Sequence, residues 1–209
     1  MSKAAVIEYG IGNIGSVVQA CLRVGLEIVV ATDGQALLEA DADRIILPGV
    51  GAVDAALRLL REREIEAALK TLVVEQGRPF LGICVGMQVM ARRCTEFGAH
   101  DGFGWIAGDV DRLAVNDADL RLPHVGWNSI EATRPDPLLE GIDGEYFYFV
   151  HSCGFRSIEG RDAIANSEYG GPFAVAVRSG NCWGVQFHPE KSSAAGERLL
   201  ANFKDIDGA

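Results

Sequence analysis

Apolar and polar runs alternate along the first 90 residues in a way that predicts strands and helices in turn. Short apolar, β-branched runs are typical of buried strands, and apolar positions three or four residues apart are typical of helices. The pattern predicts strands at Ala4–Tyr9, Glu27–Ala31 and Arg44–Leu47 and helices at Ile14–Val24 and about Ala52–Gln76, the second helix broken near Glu64. A further strand ends at Cys84, and a helical pattern follows it.

The pattern changes after Asp101, where short extended runs replace the strand and helix alternation. These runs are Asp109–Val115, Trp127–Ala132, Tyr146–His151, Ala163–Asn166, Phe173–Arg178 and Cys182–Phe187, and a helix over Ala194–Phe203 closes the chain. We predict an α/β fold with a single doubly wound, mostly parallel sheet and added antiparallel strands in the C-terminal half. No linker or internal repeat interrupts it, so residues 1–209 are expected to form one domain.

Composition narrows the classes of function. The 209 residues are 48% hydrophobic, enough for one substantial core. No apolar run approaches the roughly 20 residues of a membrane span, and no basic-then-apolar leader begins the chain, so we expect a cytoplasmic protein without membrane contact. A net charge of −10 argues against general nucleic-acid binding. Five scattered cysteines without paired spacing favour reduced thiols, and no metal or other cofactor is predicted.

Cys84 is the leading candidate for a nucleophile. It lies between Gly82 and Gly86, where an apolar strand gives way to a helical pattern. Glycines two positions before and after a nucleophile are what a sharp strand-to-helix turn requires, because a Cβ at either site would collide with the turn. The start of a helix also favours the thiolate, which is the attacking form of cysteine.

His188 and Glu190 are the candidate partners of that cysteine. Residues two apart in an extended segment share one side, and Pro189 between them favours extended geometry at His188. A carboxylate beside an imidazole sets its tautomer and leaves the other ring nitrogen to move a proton. The sequence therefore predicts a triad of Cys84, His188 and Glu190.

A glycine-rich turn at the N-terminus supports a different function. Gly10, Gly12 and Gly15 fit the spacing of the dinucleotide-binding fingerprint between a strand and a helix, and Asp33 ends the next strand. Such a turn would place phosphates at a helix start and an acidic residue on a ribose hydroxyl. An NAD(P)-dependent oxidoreductase is therefore an alternative, although tight glycine turns also occur in α/β proteins that bind no nucleotide.

Several motifs together carry a resemblance to a known family. They are Gly-Ile-Cys-Val-Gly-Met-Gln at 82–88, Pro-Gly-Val-Gly at 48–51 and His-Pro-Glu at 188–190. The chain resembles the triad-type glutamine amidotransferases, and within them the glutaminase subunits of bacterial imidazole glycerol phosphate synthase. The narrower likeness rests on blocks at 9–13, 102–105, 123–128, 147–152 and 188–192, which span nearly the whole chain.

The resemblance implies that Cys84 attacks the side-chain amide of glutamine, releases ammonia and forms a thioester that water hydrolyses. Gly49, Val50 and Gly51, together with Val85, would supply the backbone that stabilises the oxyanion. Gln88 and the backbone of Ser152 and Cys153 would bind glutamine. The family usually has an aromatic residue where this chain has Cys153, and a leucine where it has Val85. An aromatic ring that packs on the substrate would be missing here.

The resemblance also implies a partner, because free ammonia is useful only if it reaches an acceptor. That partner would be a (β/α)8 barrel cyclase, which forms a heterodimer with this chain in histidine biosynthesis. Asn13, Trp127 and Lys191 match positions on the cyclase-facing side. A paralogous glutaminase that feeds nucleotide-sugar amidation, and a catalytically silent regulatory subunit, are the other readings that the sequence leaves open.

Overall fold

A computed structural model describes residues 2–12, 14–115, 120–158 and 162–207. The strands are β1 Lys3–Ile7, β2 Glu27–Ala31, β3 Arg44–Gly49, β4 Phe80–Cys84, β5 Ala91–Cys94, β6 His100–Asp101, β7 Ile106–Arg112, β8 His124–Ser129, β9 Glu131–Ala132, β10 Tyr146–His151, β11 Cys153–Ile158, β12 Ala163–Glu168, β13 Pro172–Ser179 and β14 Cys182–Val185. The helices are α1 Ile14–Arg23, α2 Gly34–Glu39, α3 Val53–Glu62, α4 Ile65–Leu69, α5 Val85–Gln88 and α6 Ser193–Asp205. A π-helical segment, Lys70–Glu75, extends α4, and short 3-10 turns lie at Pro137–Leu139 and Pro189–Lys191.

The main sheet has the order β2-β1-β3-β4-β14-β13-β11-β7-β5-β6, with β12 and β9 attached beside β13. The pairs from β2 to β14 are parallel, and the pairs from β14 through β13 and β11 to β7 are antiparallel. β8 and β10 form a separate two-stranded antiparallel sheet. The predicted combination of a doubly wound parallel half and antiparallel additions in the C-terminal half is confirmed.

Most of the predicted elements are present within a few residues of their expected bounds. The helix predicted over Ala52–Gln76 breaks at Glu64, whose φ of 58° lies in the left-handed region and cannot continue a helix. Helix α2 was not predicted, and neither were β5, β6 and β11. β5 carries two exposed arginines at its centre, so it shows no strand alternation, and β11 follows β10 after one residue without a turn signal.

The parallel strands bring the predicted site together at one edge of the sheet. β4 lies between β3 and β14, with Gly49 opposite Cys84 and Ile83 opposite Val185. The segment that leads to His188 therefore leaves the sheet beside the cysteine, although about half of the chain separates them in sequence. Ligands of open α/β sheets bind at the carboxyl ends of the strands, which is where these residues lie.

The sheet is covered by apolar side chains that form one core. Its largest fully buried members include Trp183, Phe80, Phe147, Phe187 and Phe203. Within the described ranges, no helix combines the length and the apolar character that crossing a bilayer demands.

Candidate active site

Cys84 occupies a sharp turn between β4 and α5. Its φ of 55° and ψ of −109° are strained for a residue with a side chain, as in the nucleophile turns of other α/β enzymes. A methyl group on Gly82 would collide with the backbone of Gly86, and one on Gly86 would collide with the carbonyl of Leu47. Both flanking glycines are thus required by close backbone contacts.

The helix that follows Cys84 is shorter than the sequence suggested. Helix α5 has four residues, Val85–Gln88, and β5 begins at Ala91. The macrodipole of a helix is the sum of aligned peptide dipoles, so one turn contributes less than a full helix. Helix α5 therefore offers the Cys84 sulfur less electrostatic stabilisation than a full-length helix would.

His188 and Glu190 contact each other, as the pattern predicted, but the backbone conformation between them differs from the predicted one. His188 is extended, whereas Pro189–Lys191 forms a 3-10 turn in place of the expected extended segment. Nδ1 of His188 lies 2.8 Å from Oε1 of Glu190. Because a carboxylate only accepts hydrogen bonds, Nδ1 carries the proton, and Nε2 is left for the side of Cys84.

The charge state of His188 depends on its two neighbours. Burial lowers the pKa of His188, but Cys84 and Glu190 outweigh it and raise the pKa to about 9. Nε2 of His188 is buried and has no hydrogen-bond partner among the described residues. The sulfur is thus close enough to act on the charge of the ring without forming a hydrogen bond of regular geometry.

This raised pKa predicts a pH dependence of stability. The stabilisation from charged His188 is complete below its ordinary pKa of 6.5 and is lost as the pH rises through about 9. We expect the free energy of unfolding to fall by on the order of 2 kcal/mol between about pH 6.5 and pH 8.5. Urea denaturation across this range measures the change. The His188→Gln variant serves as the control, and an equal decline in that variant would contradict the assignment.

Cys84 opens onto a cavity of about 120 Å³ that gathers most of the predicted substrate residues. Its walls are formed by Val50, Gly51, Cys84, Val85, Gln88, Glu96, Val150, His151, Ser152 and Cys153. Gly49 does not line the cavity but packs against one of its walls, since an added methyl on Gly49 would lie 3.0 Å from Cβ of Val85. Six of the seven predicted substrate residues, together with Cys84, therefore surround one space.

A second cavity is larger but lies elsewhere. It measures about 720 Å³ and is bounded by residues between Ala132 and Asp143. It is lined by none of the predicted site residues, so volume by itself does not locate the site. The smaller cavity is the candidate because it combines a strained cysteine, a histidine of raised pKa nearby and several buried polar groups.

Gln88 and His151 both converge on one backbone carbonyl. Nε2 of Gln88 donates to the carbonyl oxygen of Cys153 at 2.9 Å, and Nδ1 of His151 lies 2.8 Å from the same oxygen. Since a carbonyl only accepts, Nδ1 of His151 is protonated and its Nε2 faces Nδ1 of His124 at 3.1 Å. Burial lowers the pKa of both histidines to about 4, so both rings are neutral near pH 7.

The glycine turn of the dinucleotide alternative has a structural role in this fold. Gly10 and Gly12 adopt φ values of 96° and 113°, which favour glycine. A methyl group on Gly12 would meet Cγ2 of Val50 at 3.7 Å, so the turn faces the backbone beside Cys84. Asp33 caps helix α2 by accepting from the N–H of Ala36 at 2.8 Å. Two of the three glycines and Asp33 thus have structural roles that need no nucleotide.

Comparison with known proteins adds the family. A model of the family "Glutamine amidotransferase class-I" matches residues 5–206 of the chain. The chain belongs to the class-I glutamine amidotransferases. This membership confirms the resemblance seen in the sequence motifs.

Close relatives of this amidotransferase cover nearly its full length. It is 44% identical to the "Imidazole glycerol phosphate synthase subunit HisH" of Rhodospirillum rubrum, over 96% of this chain and 97% of that protein. The protein of the same name from Zymomonas mobilis is 44% identical, over 98% of this chain and 96% of its own length. Similarity of this extent covers both halves of the candidate site.

Solved structures share the fold of this amidotransferase at low sequence identity. A structure titled "Crystal structure of glutamine amidotransferase" superposes with a TM-score of 0.73 at 22% identity, covering 97% of this chain and 99% of that one. The "Structure of PurLQS from Thermotoga maritima" gives a TM-score of 0.74 at 18% identity and 97% coverage of both chains. These likenesses show the fold alone.

The predicted partner-facing residues of the amidotransferase lie on the surface where they are described. Trp127, on β8, is 52% exposed, and the ammonium of Lys191 lies 5.5 Å from the ring centroid of Tyr148. Trp127 and Tyr148 pack edge to face across the β8–β10 sheet. Asn13 falls outside the described residues. Trp127 and Lys191 thus both contact Tyr148, at one surface of the amidotransferase.

Sequence reasoning missed three residues around Cys84. Gln186 donates to the Cys84 sulfur, and Glu96 and His151 line the cavity. Gln186 could have been found, because it lies two residues before His188 and so shares its side of an extended segment. His151 lies in an apolar, aromatic run, a pattern that favours a structural or interface role. Glu96 lies in a loop after β5 and carries no pattern that marks it.

Proposed function

We propose that the chain is the glutaminase subunit of an imidazole glycerol phosphate synthase and hydrolyses glutamine to glutamate and ammonia. The observation that carries this proposal is the near-full-length similarity, 42–44% identity, to proteins that bear the name of this subunit. The geometry beside Cys84 supports it, because β14 brings the segment of His188 alongside the strand that ends at Cys84, and Nδ1 of His188 lies 2.8 Å from the Glu190 carboxylate. A silent regulatory subunit would have no need of this arrangement.

In the proposed reaction, the Cys84 thiolate attacks the side-chain amide carbon of glutamine. The carbonyl oxygen becomes an anion, which backbone N–H groups near Val50 and at Val85 stabilise. His188 gives its proton to the amide nitrogen of the tetrahedral intermediate, whose C–N bond then breaks to release ammonia and leave the thioester. His188 then takes a proton from water, whose oxygen attacks the thioester and releases glutamate. Glu190 holds the ring in the required tautomer throughout.

The amino-acid end of glutamine is bound at the other end of the cavity. Gln88 and the backbone of Ser152 and Cys153 contact it, as the family resemblance implies. Glu96 adds a carboxylate to this wall of the cavity, which suits the α-ammonium group of the substrate. The Cys153 side chain replaces the usual aromatic ring. Burial, with Glu96 as the second cause, raises the pKa of the Cys153 thiol to about 12, so it stays neutral.

Ammonia passes to a (β/α)8 barrel cyclase that forms a heterodimer with this chain. The cyclase uses it to make imidazole glycerol phosphate and aminoimidazole carboxamide ribotide in histidine biosynthesis. The names of the relatives support this acceptor over nucleotide-sugar amidation.

One hydrophobic core across the described residues supports a single amidotransferase domain, and five free, buried thiols suit the reducing cytoplasm.

Glutamate release by the purified chain, with and without the cyclase, tests the proposal. We expect hydrolysis in the complex and synthesis of imidazole glycerol phosphate from glutamine. Hydrolysis without coupled synthesis would overturn the proposed acceptor of ammonia but would still support the glutaminase activity. If the complex still uses added ammonia but does not hydrolyse glutamine, the proposed glutaminase activity is overturned. Saturable binding of NADH, followed by its fluorescence, would favour the oxidoreductase.

Lys191→Ala tests the proposed interface. We expect it to reduce the stimulation of glutamine hydrolysis by the cyclase about tenfold, because one charged contact with the partner is lost. Hydrolysis by the isolated chain should stay within about twofold of wild type. Lys70→Ala, which removes another exposed lysine, is the matched control. Equal stimulation of the Lys191 and Lys70 variants by the cyclase would show that Lys191 does not lie in the interface.

A further inference from the structure

Gln186 contacts the sulfur of Cys84 and is fully buried. Its Nε2 lies 3.7 Å from Sγ of Cys84, and its Oε1 accepts from Nε2 of Gln88 at 3.0 Å. The side chain has 0% exposure, so no bulk water competes for either contact. A buried amide adjacent to a candidate nucleophile needs an explanation, because burying polar groups is costly unless they are paired.

The orientation of the Gln186 amide follows from a neighbouring carbonyl. The carbonyl oxygen of Cys153 can only accept, so the group of Gln88 that faces it must be the NH₂. The same NH₂ of Gln88 faces Gln186, which must present its oxygen there. The NH₂ of Gln186 is then left to point at the sulfur. A flip of either amide would oppose two donors or two acceptors.

The backbone holds Gln186 in this place. Gln186 is the first residue after β14, and its N–H donates to the carbonyl of Val175 at 2.9 Å. β14 pairs in parallel with β4, and Val185 lies opposite Ile83. Gln186 and Cys84 are therefore each the next residue after a paired position. The contact is fixed by strand register and not by a mobile loop.

We propose that Gln186 is a further residue of the catalytic machinery, whose side-chain amide donates a hydrogen bond to the Cys84 sulfur and stabilises it as the thiolate. The inference deepens the proposed function, since it concerns the same nucleophile. A thiolate accepts from Gln186 without conflict, whereas a thiol is a weaker acceptor for the same donor. Helix α5 is one turn long, so this donor supplies stabilisation that a longer helix would have given.

The alkylation rate of Cys84 by iodoacetamide tests this hydrogen bond directly. The full chain is assayed at pH 7.5 without glutamine, and the Cys84 peptide is quantified by mass spectrometry. A hydrogen bond to a charged group is worth about a tenfold change in equilibrium or more. We therefore expect alkylation of Gln186→Leu and Gln186→Met to be about tenfold slower than wild type. Gln35→Leu, on the surface of α2, is the control and should react like wild type.

Kinetics of the complex with the cyclase provide the second measurement. We expect kcat for glutamine hydrolysis to fall by a similar factor, with KM within about threefold, because the lost contact is to the nucleophile and not to the substrate. A loss of packing alone would expose Cys84 and speed alkylation. Alkylation within twofold of wild type in the folded variants would overturn the proposal.

Gln186→Glu covers the case in which both apolar variants fail to fold. It keeps the shape of the side chain but replaces the donor with an oxygen. Slower alkylation supports the hydrogen bond, and an unchanged rate overturns it. Because alkylation is measured without glutamine, the result is separate from whether the chain hydrolyses glutamine at all.

Discussion

Cys84→Ala is expected to lower glutamine hydrolysis at least about 1000-fold, because the other thiol that lines the cavity, Cys153, has a pKa of about 12 and stays protonated. The residual cavity still binds glutamine, so the loss appears in kcat. Synthesis by the cyclase from added ammonia should stay at the wild-type rate, and so should binding of the cyclase. Glutamate release and ammonia-dependent synthesis, measured on the same complex, separate these effects.

Cys182→Ala is the matched control for the loss of a buried thiol. Cys182 lies at the start of β14, where burial raises its pKa to about 12 and keeps it uncharged. The substitution should cost about 1 kcal/mol of stability and leave hydrolysis unchanged. Near-normal rates of glutamine hydrolysis in Cys84→Ala would contradict the assignment of Cys84 as the nucleophile.

Gly86→Ala is expected to have the largest effect on stability. The added methyl would collide with the carbonyl of Leu47 in the central strand β3, which cannot move without disturbing the core. We expect the free energy of unfolding to fall by about 3 kcal/mol or more, as in overpacked cores. Any folded fraction should show about a hundredfold lower kcat, because the turn that holds Cys84 is displaced. Urea denaturation and glutamate release measure the two losses.

Gly25→Ala separates this collision from the general cost of losing a glycine. Gly25 has a φ of 81°, and nothing lies within 4 Å of an added methyl. The change should cost only about 1 to 2 kcal/mol, from the left-handed backbone alone, and should not affect kcat. Equal effects of the two substitutions would show that close packing against Leu47 is unimportant at Gly86.

The two glycines around Cys84 illustrate what local sequence predicts well. A strand, a tight turn and a nucleophile between glycines are set by contacts within a few residues, so the pattern of residues 80–88 was enough to place Cys84 in a strained turn. The length of the helix after it was not predictable in this way. Helix α5 ends after one turn because the chain joins the sheet again as β5, whose partner β7 lies farther along the sequence.

His188 and Glu190 show a case in which the contact was right and the backbone was wrong. Two residues apart is close enough for the side chains to meet in either an extended segment or a 3-10 turn. The choice between them comes from outside the segment. The N–H of His188 donates to the carbonyl of Tyr148 at 2.9 Å, and the Ser192 hydroxyl donates to the carbonyl of His188 at 2.6 Å.

The sequence by itself determined the class of fold, the strained turn at Cys84 and the family, because strand period, glycine spacing and ordered motifs are local properties of the chain. Tertiary structure alone decided which residues surround the sulfur. Gln186 reaches the sulfur from the residue after β14, and Glu96 reaches the adjacent cavity from the loop after β5, so their positions depend on strand order and register. Those are set by packing of the whole sheet, so no single segment carries their signal.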